Sequence, residues 1–198
     1  MRAWMTFAKR DDKALGLKRA VMALPLGLVL GFPGPVAAQE VGADGLIRSH
    51  GVSPFGELRY GPDFTHLDYV NPDAPQGGEM SFSWSSGSFD SMHPYTREGR
   101  AAVLASIFFE TMLTGTADEI GSSYCLLCEE IAYPEDRSYV IFTIRENAAF
   151  SDGSPVRADD VLISNEILRD EGMPSISANL NRTIAGATVM DDRTIRFE

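Results

Sequence analysis

Cysteine occurs only twice, tryptophan twice and histidine three times in these 198 residues. Two cysteines cannot build a disulfide framework. The histidines, at positions 50, 66 and 93, do not come at metal-ligand spacing. Catalytic signatures are also missing. The chain has no G-x-S-x-G elbow, no H-E-x-x-H pair, no phosphate-binding P-loop and no G-x-G-x-x-G turn. The apolar run at residues 21–32 is twelve residues long, short of the roughly 20 that a spanning helix needs. Basic charge is scarce past residue 38. From there on, eleven Lys and Arg stand against 26 Asp and Glu, a formal net charge of −15. So acidic a surface repels phosphate backbones and argues against nucleic-acid binding.

What is present is ordinary globular sequence. Hydrophobic residues make up 44% and charged residues 23%, enough to bury a core in one domain of usual size. The first forty residues read differently from the rest. Arg2, Lys9, Arg10, Lys13, Lys18 and Arg19 precede the apolar run, and Val36 and Ala38 place small residues three and one before a cut after Ala38. Basic, apolar and small segments in that order predict a secretory signal peptide over residues 1–38, with translation starting at Met1, Met5 or a later Met. An uncleaved anchor is the competing reading, and Pro25, Pro33 and Pro35 weigh against a long helix there.

Along residues 39–198 the punctuation is clear. Residues 51–56 and 71–78 are loops rich in Pro and Gly. Phe64, His66, Leu67, Tyr69 and Val70 form an aromatic and apolar patch between them. Residues 79–84 alternate, with Met80, Phe82 and Trp84 on one face, and predict a strand in which Phe82 and Trp84 serve the core rather than a ligand. Residues 85–99 predict a polar loop. Val103, Leu104, Ile107, Phe108 and Met112 fall near helical spacing and predict a helix over 101–113, and residues 124–131 predict a short helix. Residues 138–145 are the clearest strand. A tight turn follows at 151–155, then a helix over 159–171 opened by Asp159 and Asp160 and stopped by Gly172 and Pro174. Residues 191–198 predict a turn and a strand. Asn181-Arg-Thr183 fits a glycosylation sequon, a spacing that arises often by chance.

The segment 136–161 combines several elements. A strand ends in Arg145, a short turn leads to Phe150, Asp-Gly-Ser-Pro occupies 152–155, and Ala158, Asp160 and Val161 open a helix. In this order they resemble the extracellular solute-binding proteins of family 5, the peptide- and nickel-type receptors of bacterial ABC importers. Residues 50–60 and 64–78, with Ser88-Phe-Asp90, resemble the branch that binds oligopeptides and peptide-nucleotide antibiotics of the microcin C type. The resemblance covers about residues 45–198 and corresponds to the N-terminal part of such receptors. Two departures stand out: Arg157 replaces a capping Thr, which weakens the cap, and Cys125 and Cys128 replace small residues.

The resemblance implies an α/β fold: a lobe of the type II periplasmic-binding-protein kind with the extra domain of peptide-binding members, incomplete because the second lobe is missing, so that sheet edges stay unpaired. It implies a monomeric, non-enzymatic periplasmic receptor without cofactor or metal. Such a receptor binds a peptide or peptide-like ligand and delivers it to an ABC permease in the inner membrane. It also implies that the loop after Ser-Phe-Asp lines the ligand cleft. There Tyr95, Thr96, Arg97, Glu98 and Gly99 offer a ring, a hydroxyl, a cation for a carboxylate, an anion for an ammonium and room for close backbone approach. The competing view is that Arg97 and Glu98 are a solvated pair.

Cys125-Leu-Leu-Cys128 leaves four readings open: a local disulfide, two free thiols packed as small apolar groups, a redox dithiol, or half a zinc site. A redox dithiol would make the chain a periplasmic thiol-disulfide oxidoreductase, and would have the pair follow a strand and open a helix. A peptide sensor that signals without transport is a further alternative.

Overall fold

A computed structural model describes residues 41–75, 77–79, 81, 87–95 and 97–198. The expected signal peptide, most of the expected strand at 79–84 with Phe82 and Trp84, and Thr96 lie outside the described residues.

The β-branched and aromatic segments pair as two antiparallel sheets. The larger has the order β1-β5-β6-β8-β7, built from Leu46–Ser49 (β1), Cys128–Pro134 (β5), Val140–Ile144 (β6), Ala187–Val189 (β7) and Thr194–Phe197 (β8). The smaller has the order β2-β4-β3, from Gly51–Val52 (β2), Leu113–Gly115 (β3) and Ser123–Cys125 (β4). Two helices, Ala158–Asp170 (α1) and Pro174–Thr183 (α2), lie in the chain between β6 and β7. Among the described residues no helix is long and apolar enough to cross a membrane.

The pleat of β6 explains the core. Phe142 and Ile144 are buried, with the half-buried Val140 on the same side. Phe142 sits opposite both Ile131 on β5 and Ile195 on β8. Ala158, Val161 and Leu162 of α1 cover this face. Burying three side chains of this size contributes on the order of 1.5–3 kcal/mol each. The opposite face is polar: the Arg196 guanidinium lies 3.9 Å from the Tyr139 ring centre, and Arg48 approaches Glu130 at 3.4 Å. The β5–β6 hairpin turns through Arg137 at φ 54°, whose N–H donates to the Pro134 carbonyl at 2.9 Å. A second cluster sits on the small sheet, where the Tyr60, Phe64 and Tyr124 rings meet in tilted and edge-on contacts with centroids 5.3–5.7 Å apart.

The strand at 138–145, the turn at 151–155, the helix at 159–171 and the last strand appear as the sequence predicts, within a residue or two. The turn is made by Asp152, whose carboxylate accepts from the Ser154 N–H at 2.9 Å and the Ser154 hydroxyl at 2.6 Å. Arg157 has no side-chain cap bond, because a guanidinium cannot accept one. The return half of a capping box is present instead, with the Arg157 N–H donating to Asp160 at 2.8 Å.

Two helix expectations are overturned. Residues 101–113 form a single 3-10 turn at Ala105–Phe108 that leads through irregular chain to β3. Val103, Leu104, Ile107 and Phe108 are exposed and Leu104 takes a left-handed conformation at φ 63°. A helix draws most of its stability from packing its apolar face, and nothing among the described residues covers this one. Residues 124–131 are not helical either: β4 ends at Cys125 and β5 starts at Cys128. Pairing with β3 and β6 on their respective sheets outweighs local helical preference. Strands β1, β2 and β7 and helix α2, opened by Pro174 at its first position, have no counterpart among the sequence expectations.

Candidate functional site

The loop that follows Ser88-Phe-Asp90 is tied at its base. The Asp90 N–H donates to the Arg100 carbonyl at 3.1 Å, and the Ala102 N–H donates to the Ser91 carbonyl at 2.7 Å. The Asp90 carboxylate accepts from the Arg100 N–H at 2.6 Å. Gly99 closes the loop at φ +83°, and a Cβ placed there would lie 2.6 Å from that carboxylate, so only glycine fits without a shift. Inside the loop the Ser91 hydroxyl accepts from the His93 N–H at 3.0 Å. The rings of His93, Tyr95 and Phe109 meet edge-on at 5.5–5.9 Å. A short polar segment thereby acquires a fixed shape.

The loop is also fastened to the helices. The Met173 N–H, at the start of α2, donates to the Tyr95 carbonyl at 3.3 Å. Between loop and helices lies a concavity of about 850 Å³. His93, Tyr95, Arg97 and Glu98 line one side, while Ile167, Leu168, Glu171, Gly172 and Pro174 line the other. Its volume is in the range of small-ligand sites. Of the predicted residues, Tyr95, Arg97 and Glu98 come together here, Tyr95 half-buried and the two charged side chains exposed. Gly99 shapes the loop rather than lining the hollow, and Thr96 lies outside the described residues. The helical wall has no signal in the sequence: its residues carry no motif, and Gly172 and Pro174 predict only a helix stop.

The cysteines lie elsewhere. Cys125 and Cys128 are joined by a disulfide that closes the turn between β4 and β5. Chain there leaves the small sheet and enters the large one. Cys128 is fully buried and Cys125 nearly so. Arg145 clamps the same turn, its guanidinium donating to the Leu126 carbonyl at 2.7 Å and the Cys125 carbonyl at 3.1 Å. The Leu126 N–H and Leu127 N–H donate to Met112 and Thr111 carbonyls at 2.9 and 3.3 Å. The pair opens into a strand rather than a helix. It therefore has neither the exposure nor the helix N-terminus that lowers a thiol pKa in oxidoreductases.

A second polar group surrounds the aromatic cluster. The Tyr124 hydroxyl donates to Glu119 and accepts the Tyr60 N–H at 3.2 Å. Burial, reinforced by the Glu119 carboxylate, pushes the Tyr124 phenol up to about 12. The Tyr60 hydroxyl donates to Asp118 at 2.5 Å. That bond holds the Asp118 carboxyl below the usual carboxylate range, and burial together with Asp118 raises Tyr60.

Residues 125–198 match the profile of the bacterial extracellular solute-binding proteins, family 5 Middle. Over 179 residues the chain is 34% identical to a probable peptide-binding protein, YejA, of Agrobacterium fabrum, covering 90% of this chain and 28% of that protein. It is 37% identical over 134 residues to YejA of Escherichia coli, covering 68% of this chain and 22% of the relative. A peptidoglycan-binding protein, YepA, of Agrobacterium fabrum is 33% identical over 156 residues, covering 75% of this chain and 25% of the relative. The chain thus spans about a quarter of the length of these curated relatives.

Proposed function

Because this chain belongs to the bacterial extracellular solute-binding proteins of family 5, we propose that it is the ligand-binding part of an ABC importer that takes up peptides or peptide-like compounds. It is exported through a signal peptide at residues 1–38 and works in the periplasm as a monomer. It performs no covalent chemistry. It captures ligand and hands it to a permease in the inner membrane. At the level of architecture we read the five-stranded sheet with its two helices as part of a type II periplasmic-binding lobe.

The observation that carries this reading is the tied loop at residues 90–101. It holds Tyr95, Arg97 and Glu98 on one side of an 850 Å³ hollow. A peptide needs a cation for its carboxylate, an anion for its ammonium and backbone groups along its length, and the hollow presents Arg97 as the cation and carboxylates on both of its walls. The relative named as a probable peptide-binding protein supports the same ligand class.

Thermal unfolding in a pool of random tripeptides tests the proposal. A ligand present at a hundred times its Kd stabilises the folded state by about 2.7 kcal/mol. The expected result is a rise in Tm that Arg97→Gln diminishes. A midpoint that stays flat up to millimolar peptide would rule out peptide binding by this chain.

A further inference from the structure

Resting on the peptide reading of that hollow, we infer that Glu171, at the end of α1, is the group that holds the ligand's ammonium, opposite Arg97, which holds its carboxylate. The hollow therefore selects zwitterionic ligands and uses the α1–α2 turn as its second wall.

Glu171 is an exposed carboxylate on the wall facing the loop. Among the described residues its side chain has no ion-pair or hydrogen-bond partner. The same holds for Arg97. Two opposite charges that line one concavity without pairing leave each free to meet a group of a third molecule. The neighbouring cation on α1, Arg169, is committed away from the hollow, its guanidinium donating twice to the Asn181 side chain at 3.2 Å. The position of Glu171 is poor for folding. It follows the last residue of α1, so its charge sits at the negative end of the helix dipole, where a cation is favoured. Asp170, one residue earlier, deepens that negative end. A bound ammonium would be attracted by the carboxylate and by the dipole together.

The backbone keeps this corner open and fixed. A Cβ at Gly172 would lie 2.3 Å from the Leu168 carbonyl oxygen, so glycine alone lets the chain turn sharply beneath Glu171. The Arg169 carbonyl accepts from the Ser177 hydroxyl at 2.5 Å and the Asn181 side-chain amide at 3.3 Å, which sets α2 against the end of α1. Ile167, half-exposed beside Glu171, offers an apolar surface to a ligand side chain.

The test is a set of amide-shift titrations on the full chain with three probes: Ala-Leu-Ala, the same peptide N-acetylated, and the same peptide C-amidated. The unmodified peptide should shift resonances of Tyr95, Gly99 and Gly172 in a saturable way. Acetylation should weaken binding roughly three- to tenfold, as expected for an exposed charge-assisted contact. Glu171→Gln should weaken the free peptide by a similar factor and leave the acetylated one unchanged, while Arg97→Gln should act on the carboxylate in the same selective way. If Glu171→Gln weakens both peptides equally, or acetylation costs nothing, the ammonium assignment is wrong and the peptide site survives without it. If none of the three peptides moves a resonance of the loop, this inference and the peptide reading fall together.

Discussion

Removing the Cys125–Cys128 bridge should loosen the corner between the two sheets by an amount the structure lets us work out. The bridge closes a loop of four residues, counting both cysteines. In the chain-entropy picture such a loop restricts the unfolded chain by about 2 kcal/mol. Reduction also places two thiols where Cys128 is fully buried and Cys125 nearly so, and their sulfurs need more room than a bonded pair, so the loss is not smaller than the entropic figure. For a chain of this size about 1 kcal/mol corresponds to roughly 2–4 °C in Tm, so reduction should lower the midpoint by about 4–8 °C. The assay is calorimetry of untreated and fully reduced protein, with mass spectrometry to confirm the redox state. Exchange of the Leu126 and Leu127 amides should accelerate most, because their bonds to Met112 and Thr111 hold the corner. A midpoint that moves by less than about 1 °C on complete reduction refutes the staple role. Two titratable thiols in the untreated protein would refute the bridge itself.

The other predictions concern groups that hold the site or the core. Arg145→Met should cost about 1–3 kcal/mol in urea unfolding, since it leaves the Cys125 and Leu126 carbonyls without their charged donor; a loss below about 0.5 kcal/mol would show that water replaces it. Tyr124, with its phenol pushed up to about 12, favours the folded state fully below the free tyrosine value near 10. Stability should therefore fall as pH rises from about 10 to about 12, and Tyr124→Phe should flatten that fall; an unchanged slope in the variant would place the alkaline loss elsewhere. Gly99→Ala should cost about 1 kcal/mol or more, because it puts a Cβ at positive φ against Asp90, and should weaken peptide binding as well; wild-type stability and binding would mean the loop tolerates another shape.

What was legible in the sequence tracks how local the determining physics is. The segment 138–161 could be read almost completely. Alternation over Val140–Ile144, the Asp152 side chain that accepts from Ser154, and the acidic first turn of α1 each act within a few residues. The family resemblance was densest there for the same reason. Tyr139, Phe142 and Arg145 could be placed from pattern alone, though the use of Arg145 as a clamp on the cysteine turn could not. Residues 101–113 misled because helical spacing predicts a helix only where a partner covers the apolar face, and Ile107 and Phe108 are exposed. Residues 124–131 misled because their conformation is decided by register with other strands rather than by local spacing, Cys128 opposite Ile144 and Tyr124 opposite Thr114 and Gly51. At the site, the loop residues announced themselves by chemistry, whereas Glu171 looked like any acid near a helix end. The one signal that marked it was its placement at the negative end of the dipole.

The helical wall of the hollow owes its position to the large sheet. The helical wall begins at Ala158, which is fully buried against the sheet and donates its N–H to the Asp192 carbonyl at 2.9 Å. Arg157 joins the same aspartate by a second contact at 2.7 Å. Those bonds fix where α1 starts, and its 13 residues then carry Glu171 about 20 Å along the helix axis from that anchor. The loop wall depends on its own base at Asp90 and Arg100 and on the single bond from Met173 to Tyr95. A change in the sheet should move the helical wall as a unit and leave the loop's internal shape intact. A change at Asp90 should do the reverse. Asp90→Ala therefore should broaden the resonances of Tyr95 and Gly99 while those of α1 stay in place. Equal disturbance of both walls would mean that the bond between Met173 and Tyr95 makes them one rigid body, with ligand access set by that bond alone.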